Sequence, residues 1–523
     1  MIRSKSALRI SGLGVFSFVC LTLTACLPVE QAANDQSELS LLKPCPSFSE
    51  SGEVAAVANA ECGTLSVLEN PADTEGRTIE LNIRRLPAIR AIPAEDPLFI
   101  LVGGPGQAAT EFSTYVAPLF NDVRKKRDII LLDQRGTGRS NPLDCERDET
   151  DNWTLSDEQE QAEGIELLKA CLDTYDADLR FYTTPYAMDD LDQVRRALGY
   201  QHINLWGVSY GTRAALVYAR LYPESVRTII LDATAPVEMM IPHSMEIDAD
   251  NALLALENHC QNNPSCVDSL GSLKENFIRV TEQLSQQPAT VSVAHPVTQE
   301  STEILVTAKR FAGFVRMALY SRELGPLIPL AVKQAAQDNY QLFLSIVLMA
   351  AGGMEEGISQ GMHLAVLCNE DLELLRQTRA NGELGLASSE MFKTGALEFM
   401  QNACQWIPTA EIDAAYFEPV ASSVPTLILS GEVDPATPPR WGETVFKSLS
   451  NAKHLIAQGG HHGISGLGCV PDLMATFIDE GGHEQLDTAC IDMIKIPSAF
   501  VDVMGPDMQG IPAKKAQGVD THD

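Results

Sequence analysis

The residue with the clearest chemical potential is Ser209, at the centre of the pentapeptide GVSYG (207–211). An apolar run precedes the pentapeptide, and the helix-like run TRAALVYARLY follows it. Strand, tight turn and helix in this order are the context of a nucleophile elbow, which lifts a serine hydroxyl clear of a sheet. We expect a side chain at Gly207 or Gly211 to collide with the neighbouring strand or helix, which gives both glycines a steric role. The pattern therefore predicts a serine nucleophile.

A serine hydroxyl needs a general base, and the base needs a carboxylate to orient it. In a doubly wound sheet the acid and the histidine follow the serine in that order, at the C-terminal ends of later strands. Asp434 follows the apolar run TLILSGEV, and His461 and His462 follow the apolar run HLIAQ. We predict Asp434 as the acid and His462 as the base, because the step from His462 to a glycine leaves room for the imidazole to turn inward. His461 is the alternative base, and Asp232, at an earlier strand end, is the alternative acid.

The negative charge that develops on the substrate needs at least two N–H donors. Tyr210, directly after the serine, is expected to supply one of them at the start of a helix. Gly104, in the loop VGGPG, is expected to supply the second, since glycines let the backbone approach a substrate closely. The same loop does not indicate a phosphate site, because no Lys-Ser/Thr pair follows it.

The composition limits the choice of partner. The chain has 523 residues, too many for one simple core, which indicates one large domain with an insertion, or two domains. Its formal net charge of −32 argues against nucleic acid and against anionic lipid surfaces as partners. Because no CxxC pair and no clustered Cys/His spacing occurs, we predict no metal site and no cofactor.

Short apolar runs alternate with helical patterns in residues 44–235, which predicts an α/β fold with a doubly wound, mainly parallel sheet. Residues 236–415 carry mostly helical patterns, which indicates an inserted helical cap domain. Strand patterns resume in 416–496, the second part of the core with the acid and the histidine, and 497–523 form a C-terminal tail. The predicted strands are 79–88, 97–104, 127–134, 202–207, 226–233, 424–434 and 452–462, and the predicted helix before the elbow is 183–200.

The N-terminus has the features of an export signal. Three basic residues precede the apolar run 10–23, which is too short to span a membrane comfortably. The letters LTAC that end this region resemble the bacterial lipobox, in which the cysteine is lipidated and becomes the first mature residue. We therefore predict a lipoprotein signal peptide at 1–25, a lipidated Cys26 and a flexible tether at 26–43. An ordinary secretory signal is the alternative.

The residue after the predicted lipidation site bears on localisation. It is Leu27, where an aspartate would resemble an inner-membrane retention signal. We therefore expect a lipid anchor in the outer membrane, facing the periplasm, if the source is a bacterium with two membranes.

The cysteines agree with export. The chain has 12, and ten remain beyond Cys20 in the signal peptide and Cys26. An even set in an exported chain indicates disulfides. Connectivity does not follow from sequence, but joining neighbours is the simple choice. It gives Cys45–Cys62, Cys145–Cys171, Cys260–Cys266, Cys368–Cys404 and Cys469–Cys490.

Several of these motifs occur together in one family. VGGPG, DQRGTGRS (133–140), GVSYG, SGEVDPATP and GGHHG resemble the exported tripeptidyl aminopeptidase and prolyl iminopeptidase group of α/β-hydrolases, over residues 44–490. The most specific match is DQRGTGRS, because an esterase does not generally need it. Members often have a histidine before Gly-Gly-Pro-Gly, where this chain has Val102. That histidine is not the catalytic base, so we expect catalysis to survive with altered loop support.

The resemblance implies a serine aminopeptidase with a helical cap, nucleophile Ser209, acid Asp434 and base His462. Its substrates would be peptides with a free N-terminus, whose ammonium group a carboxylate can hold. The run LAVLCNED in the cap presents Glu370 and Asp371, and the resemblance suggests that an acidic residue here binds the amine.

Two other functions remain open at this point. One is a carboxylesterase or lipase on the same fold, and the other is a non-catalytic lipoprotein that binds peptides. The complete set of triad residues disfavours the binding protein, and DQRGTGRS with the acidic cap residues favours the peptidase over the esterase. The preferred residue at the cleaved bond, the number of residues released and the oligomeric state are left open.

Overall fold

The computed structural model describes residues 41–46, 57, 59–145, 153–295, 299–354, 357–380 and 389–507. The predicted signal peptide, Cys26 and nearly all of the tether lie outside the described residues, as do positions 508–523 of the predicted tail.

A nine-stranded sheet forms the centre of the protein, in the order β1-β2-β3-β5-β4-β6-β7-β10-β11. Its central strands are continuous apolar runs that are buried on both faces, which is typical of a sheet covered by helices. The strands are β1 Lys43–Pro44, β2 Glu61–Leu68, β3 Thr78–Leu86, β4 Leu98–Leu101, β5 Ile129–Leu132, β6 Ile203–Val208, β7 Val226–Asp232, β10 Thr426–Gly431 and β11 Ala452–Ala457.

The sheet is parallel from β5 to β11 and antiparallel at the other edge, where β1, β2 and β3 join it. Gly207 of β6 pairs with Leu231 of β7, and Asp232 at the end of β7 pairs with Leu429 of β10. The carboxyl ends of β6, β7, β10 and β11 therefore meet at one edge. This is the edge where ligands bind in open α/β sheets. The predicted mainly parallel α/β fold is confirmed, and each of the seven predicted strands overlaps an observed one.

Helices cover both faces of the sheet, and the apolar side chains of each face form a separate buried cluster. The helix before the elbow strand, α4, begins at Thr184 and ends at Ala197, close to its predicted bounds. The α-helices of the core are α1 Ser113–Leu119, α2 Asn121–Arg124, α3 Asp157–Leu172, α4 Thr184–Ala197, α5 Tyr210–Leu221, α15 Pro439–Phe446 and α16 Val470–Glu480.

The segment after β7 is mostly helical, as predicted for the cap. Its α-helices are α6 Ile241–Gln261, α7 Pro264–Leu270, α8 Leu273–Gln286, α9 Ala308–Leu319, α10 Ile328–Ala335, α11 Gln341–Met354, α12 Gln360–Val366, α13 Leu372–Ala380 and α14 Ala396–Ala403, with a π-helix at Leu367–Asp371 between α12 and α13.

The cap has its own apolar core and one element that sequence analysis missed. Phe277, Phe311, Phe343 and Phe392 pack their rings together inside it. An antiparallel hairpin of β8 Ala289–Ala294 and β9 Ser301–Val306 joins α8 to α9. The hairpin strands are short and half exposed, so they lack the continuous apolar run by which the sheet strands were recognised.

Five disulfides are present, and they join the cysteine pairs predicted from neighbouring positions. A disulfide that closes a short loop stabilises a protein by about 2–4 kcal/mol. One of them, Cys368–Cys404, ties the π-helix to the end of the cap, and another, Cys469–Cys490, closes the region after the histidine loop. Of the helices in the described part of the chain, none is both long and apolar enough to cross a bilayer.

Candidate active site

Ser209 lies between β6 and α5 in a strained backbone conformation, with φ 55° and ψ −126°. A non-glycine residue in such a conformation costs about 1–3 kcal/mol and persists only where its surroundings hold it. A Cβ at Gly207 would overlap the carbonyl of Gly211, and a Cβ at Gly211 would overlap the carbonyl of Leu101. The predicted steric role of the two glycines is therefore confirmed.

Thr212 holds the turn from the helix side. Its backbone N–H and its hydroxyl both donate to the carbonyl oxygen of Ser209, over 2.9 and 2.6 Å. The Thr212 hydroxyl in turn accepts the backbone N–H of Ala235 over 2.7 Å, which ties the elbow to the start of the segment after β7. These bonds supply part of the restraint that keeps Ser209 in its strained conformation.

Asp434 and His462 form a close pair. Nδ1 of His462 lies 3.0 Å from each carboxylate oxygen of Asp434. The buried carboxylate also accepts the backbone N–H groups of Ala436 and Thr437, over 2.8 and 2.9 Å, and the Thr437 hydroxyl over 2.8 Å. Asp434 is thus fixed on the turn after β10, and its carboxylate orients the imidazole.

The pair shifts the ionisation of both groups. Burial alone would raise the pKa of Asp434, but the adjacent His462 and the N–H groups of Thr437 and Ala436 outweigh it, and the pKa is lowered. Burial alone would lower the pKa of His462, but the charge and hydrogen bond of Asp434 outweigh it, and the pKa is raised. A carboxylate that stays ionised beside a more basic imidazole is the arrangement that a serine nucleophile requires.

His461, the alternative base, has a different hydrogen-bond partner. Its Nδ1 is 2.6 Å from the carbonyl oxygen of Leu319, at the end of α9, and its ring is buried against Gly325. Burial lowers the pKa of His461. The structure therefore places His462, and not His461, on the acid, as the sequence analysis favoured.

The histidine loop runs close to the nucleophile. A Cβ at Gly463 would lie 3.8 Å from the side chain of Val208, the residue before the serine. The structure contains no hydrogen bond from the Ser209 hydroxyl to a described residue. In unliganded enzymes this contact is often long and tightens when substrate binds.

Asp232, the alternative acid, has a structural role instead. Its carboxylate accepts the backbone N–H groups of Ile464 and Ser465, over 2.9 and 2.8 Å, and its own carbonyl accepts the N–H of Ser209 over 2.9 Å. It therefore links the nucleophile turn to the loop that follows His462. The side chain of His462 itself pairs with Asp434.

The loop at 102–106 packs directly on the elbow, as an oxyanion loop should. A Cβ at Gly103 would overlap the Cβ of Ser209 and lie 2.8 Å from the backbone nitrogen of Tyr210. Gly104 has φ +76° and is half-exposed. The cap covers the far side of this loop, since the N–H of Ser359 donates to the carbonyl of Gly106 over 2.9 Å. Tyr210 and Gly104 remain the predicted oxyanion donors; Gly103, the neighbour of Gly104, is the loop residue that contacts Ser209 and Tyr210.

The prediction that Glu370 or Asp371 binds a substrate amine is wrong. Both side chains are buried, and both are paired with the buried guanidinium of Arg213, with Nη1 3.4 Å from Glu370 and 3.0 Å from Asp371. Glu370 also accepts the N–H and hydroxyl of Thr184, over 2.7 and 2.9 Å, and the hydroxyl of Tyr416. A carboxylate committed to this many partners has no free charge for an ammonium group.

The buried cluster of Arg213, Glu370 and Asp371 is linked by hydrogen bonds to Tyr210, the predicted oxyanion donor. The hydroxyl of Tyr210 lies 2.8 Å from the Thr184 hydroxyl, which donates to Glu370. Asp371 accepts the N–H of Ile241, the first residue of α6, over 2.7 Å. Burial raises the pKa of Glu370, and the charge of Arg213 offsets part of that effect. The cluster therefore joins the nucleophile helix to the cap.

The motif DQRGTGRS (133–140) also has a structural role. Arg135 is buried and forms a bidentate pair with Asp190 of α4, at 2.7 and 2.8 Å. Asp133 accepts the N–H and the hydroxyl of Thr110, over 2.8 and 2.9 Å, and an amide N–H of Asn82 over 2.7 Å. The motif thus fixes the segment after the oxyanion loop.

Sequence reasoning gave no signal for the part of the site that comes from α9. The ring of Tyr320 meets the ring of His462 edge-on, with centroids 4.7 Å apart, and the N–H of His462 donates to the carbonyl of Tyr320 over 3.3 Å. Arg316, one helical turn earlier, donates to the Tyr320 hydroxyl over 3.1 Å. These residues lie in an ordinary amphipathic helix pattern, so nothing local marks them.

Among the residues that the structure describes, no group of three or more His, Cys, Asp or Glu side chains is placed to hold a metal ion.

Two family models match the chain. One, described as the alpha/beta hydrolase fold, matches residues 96–259, and the other, described as TAP-like protein, matches residues 389–490. The first contains the elbow and the oxyanion loop, and the second contains the acid and the histidine.

Named relatives span most of the chain. A tripeptidyl aminopeptidase of Streptomyces coelicolor is 24% identical over 453 residues, which cover 82% of this chain and 83% of the relative. Serine protease Hip1 of Mycobacterium tuberculosis is 24% identical over 515 residues, which cover 92% of this chain and 97% of the relative. A probable proline iminopeptidase of Streptomyces coelicolor is 30% identical over 143 residues, which cover 27% of this chain and 34% of the relative.

Proposed function

We propose that this chain, which has the α/β hydrolase fold and matches the TAP-like model over the segment that contains Asp434 and His462, is a serine exopeptidase. It hydrolyses a peptide bond near the free N-terminus of its substrates through an acyl-enzyme. The observation that carries this proposal is the imidazole of His462, held 3.0 Å from both oxygens of Asp434 beside the strained turn of Ser209.

Each step of the proposed reaction has a group that can perform it. The bond to Asp434 places a proton on Nδ1 of His462, which leaves Nε2 as the acceptor for the Ser209 proton. The Ser209 oxygen attacks the scissile carbonyl carbon, and the resulting oxyanion receives N–H groups of Tyr210 and the Gly104 loop. The imidazolium then protonates the leaving amine, and the C–N bond breaks. Water, deprotonated by the same imidazole, releases the acyl group from the serine.

An exopeptidase also needs a counter-charge for the substrate ammonium. Because Glu370 and Asp371 are committed to Arg213, we place this role on Glu111. Glu111 follows the oxyanion loop, and its Oε2 would lie 3.2 Å from a Cβ at Gly357 in the cap, so it borders the junction of loop and cap.

The surroundings of Glu111 favour a cationic ligand. The residue is exposed, and it makes no hydrogen bond or close ion pair with a described residue. Partial burial of the carboxyl group raises the pKa of Glu111, the nearby charges of Asp133 and Asp144 raise it further, and the charge of Arg139 offsets part of this. An ammonium group would relieve this repulsion.

The test compares Ala-Ala-Ala-p-nitroanilide with its N-acetyl form. A charge-assisted hydrogen bond contributes about 1.5–3 kcal/mol, so we expect acetylation to lower kcat/KM by at least about tenfold. Glu111→Gln should lower kcat/KM for the substrate with the free amine and so reduce the difference in kcat/KM between the free and the acetylated substrate. Glu282→Gln, an exposed glutamate of α8, is the matched control. A gap that persists in Glu111→Gln would move the amine site elsewhere.

Equal rates on free and acetylated substrates, with faster hydrolysis of p-nitrophenyl esters, would favour the carboxylesterase instead. Ser209→Ala should lower both activities by at least about 10³-fold if one nucleophile serves them. Its folding should be unchanged, because the hydroxyl makes no hydrogen bond with a described residue.

We further propose that the protein is exported and held at the outer membrane by a lipid on Cys26. The five disulfides support an oxidising compartment. Mass spectrometry of the native protein should find an acylated N-terminal peptide that begins at Cys26. A mature chain with an unmodified N-terminus would contradict the anchor.

A further inference from the structure

Arg316 is a cationic side chain that contacts Tyr320, the neighbour of His462, and has no anionic partner among the described residues. It lies in the last turn of α9 and is half-buried. Its Nη1 lies 3.1 Å from the Tyr320 hydroxyl and 4.0 Å from the sulfur of Met245 in α6, and its guanidinium carbon is 5.7 Å from the centre of the Tyr320 ring. No carboxylate of a described residue lies within 4 Å of it.

The acids of this region already have partners. Asp434 is paired with His462. Asp248 of α6 accepts from Arg440 over 2.5 and 2.9 Å and from the indole N–H of Trp441 over 2.9 Å. An unpaired arginine is unexpected in a chain with 70 acidic and 38 basic residues. Its free donors point to an anionic ligand from outside the chain.

The position of Arg316 identifies which part of a substrate it meets. The Tyr320 ring contacts both the guanidinium and the ring of His462. His462 must protonate the leaving amine, so the leaving portion of the peptide passes beside this imidazole. The oxyanion loop, on which the acyl portion is held, packs against the 358–359 segment of the cap instead.

We propose that Arg316 binds a carboxylate on the leaving portion of the substrate. This inference rests on the proposed peptidase function. The carboxylate is either the C-terminus of a short peptide or an acidic side chain next to the scissile bond. A guanidinium has five N–H donors in a planar fork that matches a carboxylate. Its two hydrogen-bond neighbours among the described residues, the Tyr320 hydroxyl and the Met245 sulfur, both contact Nη1 and leave Nε and Nη2 available.

Matched peptides separate the two sources. Ala-Ala-Ala-Ala with a free C-terminus is compared with its carboxamide, and Ala-Ala-Ala-Asp-amide is compared with Ala-Ala-Ala-Asn-amide. We expect at least one charged member to have a kcat/KM about tenfold above its neutral partner, as for a charge-assisted bond. The pair that shows the preference identifies the source.

Variants then assign the preference to this residue. Arg316→Met keeps the length of the side chain and should bring the charged-to-neutral ratio close to one. Each ratio is taken within one protein, so a change in the overall rate through the effect of Arg316 on the pKa of His462 cancels from it. Arg316→Lys should restore part of the ratio. Tyr320→Phe removes the hydrogen bond but leaves the charge, so the ratio should persist even if the overall rate falls.

Inhibition of p-nitrophenyl acetate hydrolysis by the same peptides gives a readout that does not depend on peptidase activity. Stronger inhibition by the charged peptide, lost in Arg316→Met, would support the carboxylate site even if no peptide were cleaved, and the proposed peptidase alone would then fail. Absence of a charged preference in the wild-type protein, or a preference unchanged in Arg316→Met, would overturn the inference.

Discussion

The carbonyl oxygen of Asp232 accepts the backbone N–H of Ser209 over 2.9 Å, and so the last residue of β7 is bonded to the nucleophile itself. The carboxylate of Asp232 binds the N–H groups of Ile464 and Ser465, just after His462. One residue therefore sets the separation of the serine turn from the histidine loop. It acts on catalysis through position, without contact to the reacting atoms.

This difference between the two acids predicts a ranking. Asp434→Asn should lower kcat by about 10³–10⁴-fold, because the asparagine no longer stabilises the imidazolium or its required tautomer. Asp232→Asn should lower kcat by a smaller factor and should also lower the melting temperature, since one of two buried N–H acceptors is lost. Steady-state kinetics and thermal unfolding of both variants check this. A larger kcat effect at Asp232 would reassign the acid.

The adjacent histidines should respond differently to alanine. His462→Ala should abolish hydrolysis with only a modest loss of stability, because the buried carboxylate of Asp434 keeps its three donors from Ala436 and Thr437. His461→Ala should lower the free energy of unfolding by about 1–3 kcal/mol, since a buried, hydrogen-bonded ring is removed. The folded fraction of His461→Ala should keep most of its kcat. If His461→Ala does not fold, His461→Gln provides the comparison.

The pH dependence follows from the raised pKa of His462. The base must be neutral, so kcat/KM should fall as the pH decreases through a value above the ordinary histidine pKa of 6.5. In Asp434→Asn the charge that raises this pKa is gone while burial still lowers it, so the residual activity should fall at a lower pH. Rates on Ala-Ala-Ala-p-nitroanilide between pH 5 and pH 9 measure both midpoints. A wild-type midpoint below 6 would contradict the Asp434–His462 pairing.

Arg135 should matter for stability and not for chemistry. Arg135→Met leaves the carboxylate of Asp190 buried without its partner, which costs about 3–5 kcal/mol. The double variant Arg135→Met with Asp190→Asn should recover part of this loss. Denaturant midpoints of the three proteins measure the effect, and kcat of the folded enzyme should stay within a few-fold of wild type. A large fall in kcat at full stability would place DQRGTGRS in the catalytic machinery.

The catalytic residues could be predicted from the sequence because the patterns that mark them are local. Ser209 stands near two glycines where the turn leaves no room for a Cβ, and Asp434 and His462 each follow a strand that contains a short apolar run. Neighbouring cysteines form the five disulfides for a similar reason, since each pair closes a short loop.

The errors concern charges whose partners are distant in the chain. Glu370 and Asp371 appear as free carboxylates in the sequence, but Arg213, which neutralises them, lies on the nucleophile helix. The structural role of DQRGTGRS was missed for the same reason, because Arg135 pairs with Asp190 in another element. Charge is visible in a sequence, whereas pairing depends on the tertiary fold.

The order of the strands along the chain determines when the active site can form. The nucleophile follows β6, the whole cap follows β7, and the acid and base arrive only with β10 and β11, which take the places beside β7. From Ser209 to the end of β11 at Ala457, a growing chain therefore carries the serine with neither a base to activate it nor the strands that complete its sheet. A product truncated in the cap would be inert, and its unpaired β7 edge would invite aggregation. Catalysis can begin only when β10 and β11 have joined the sheet beside β7.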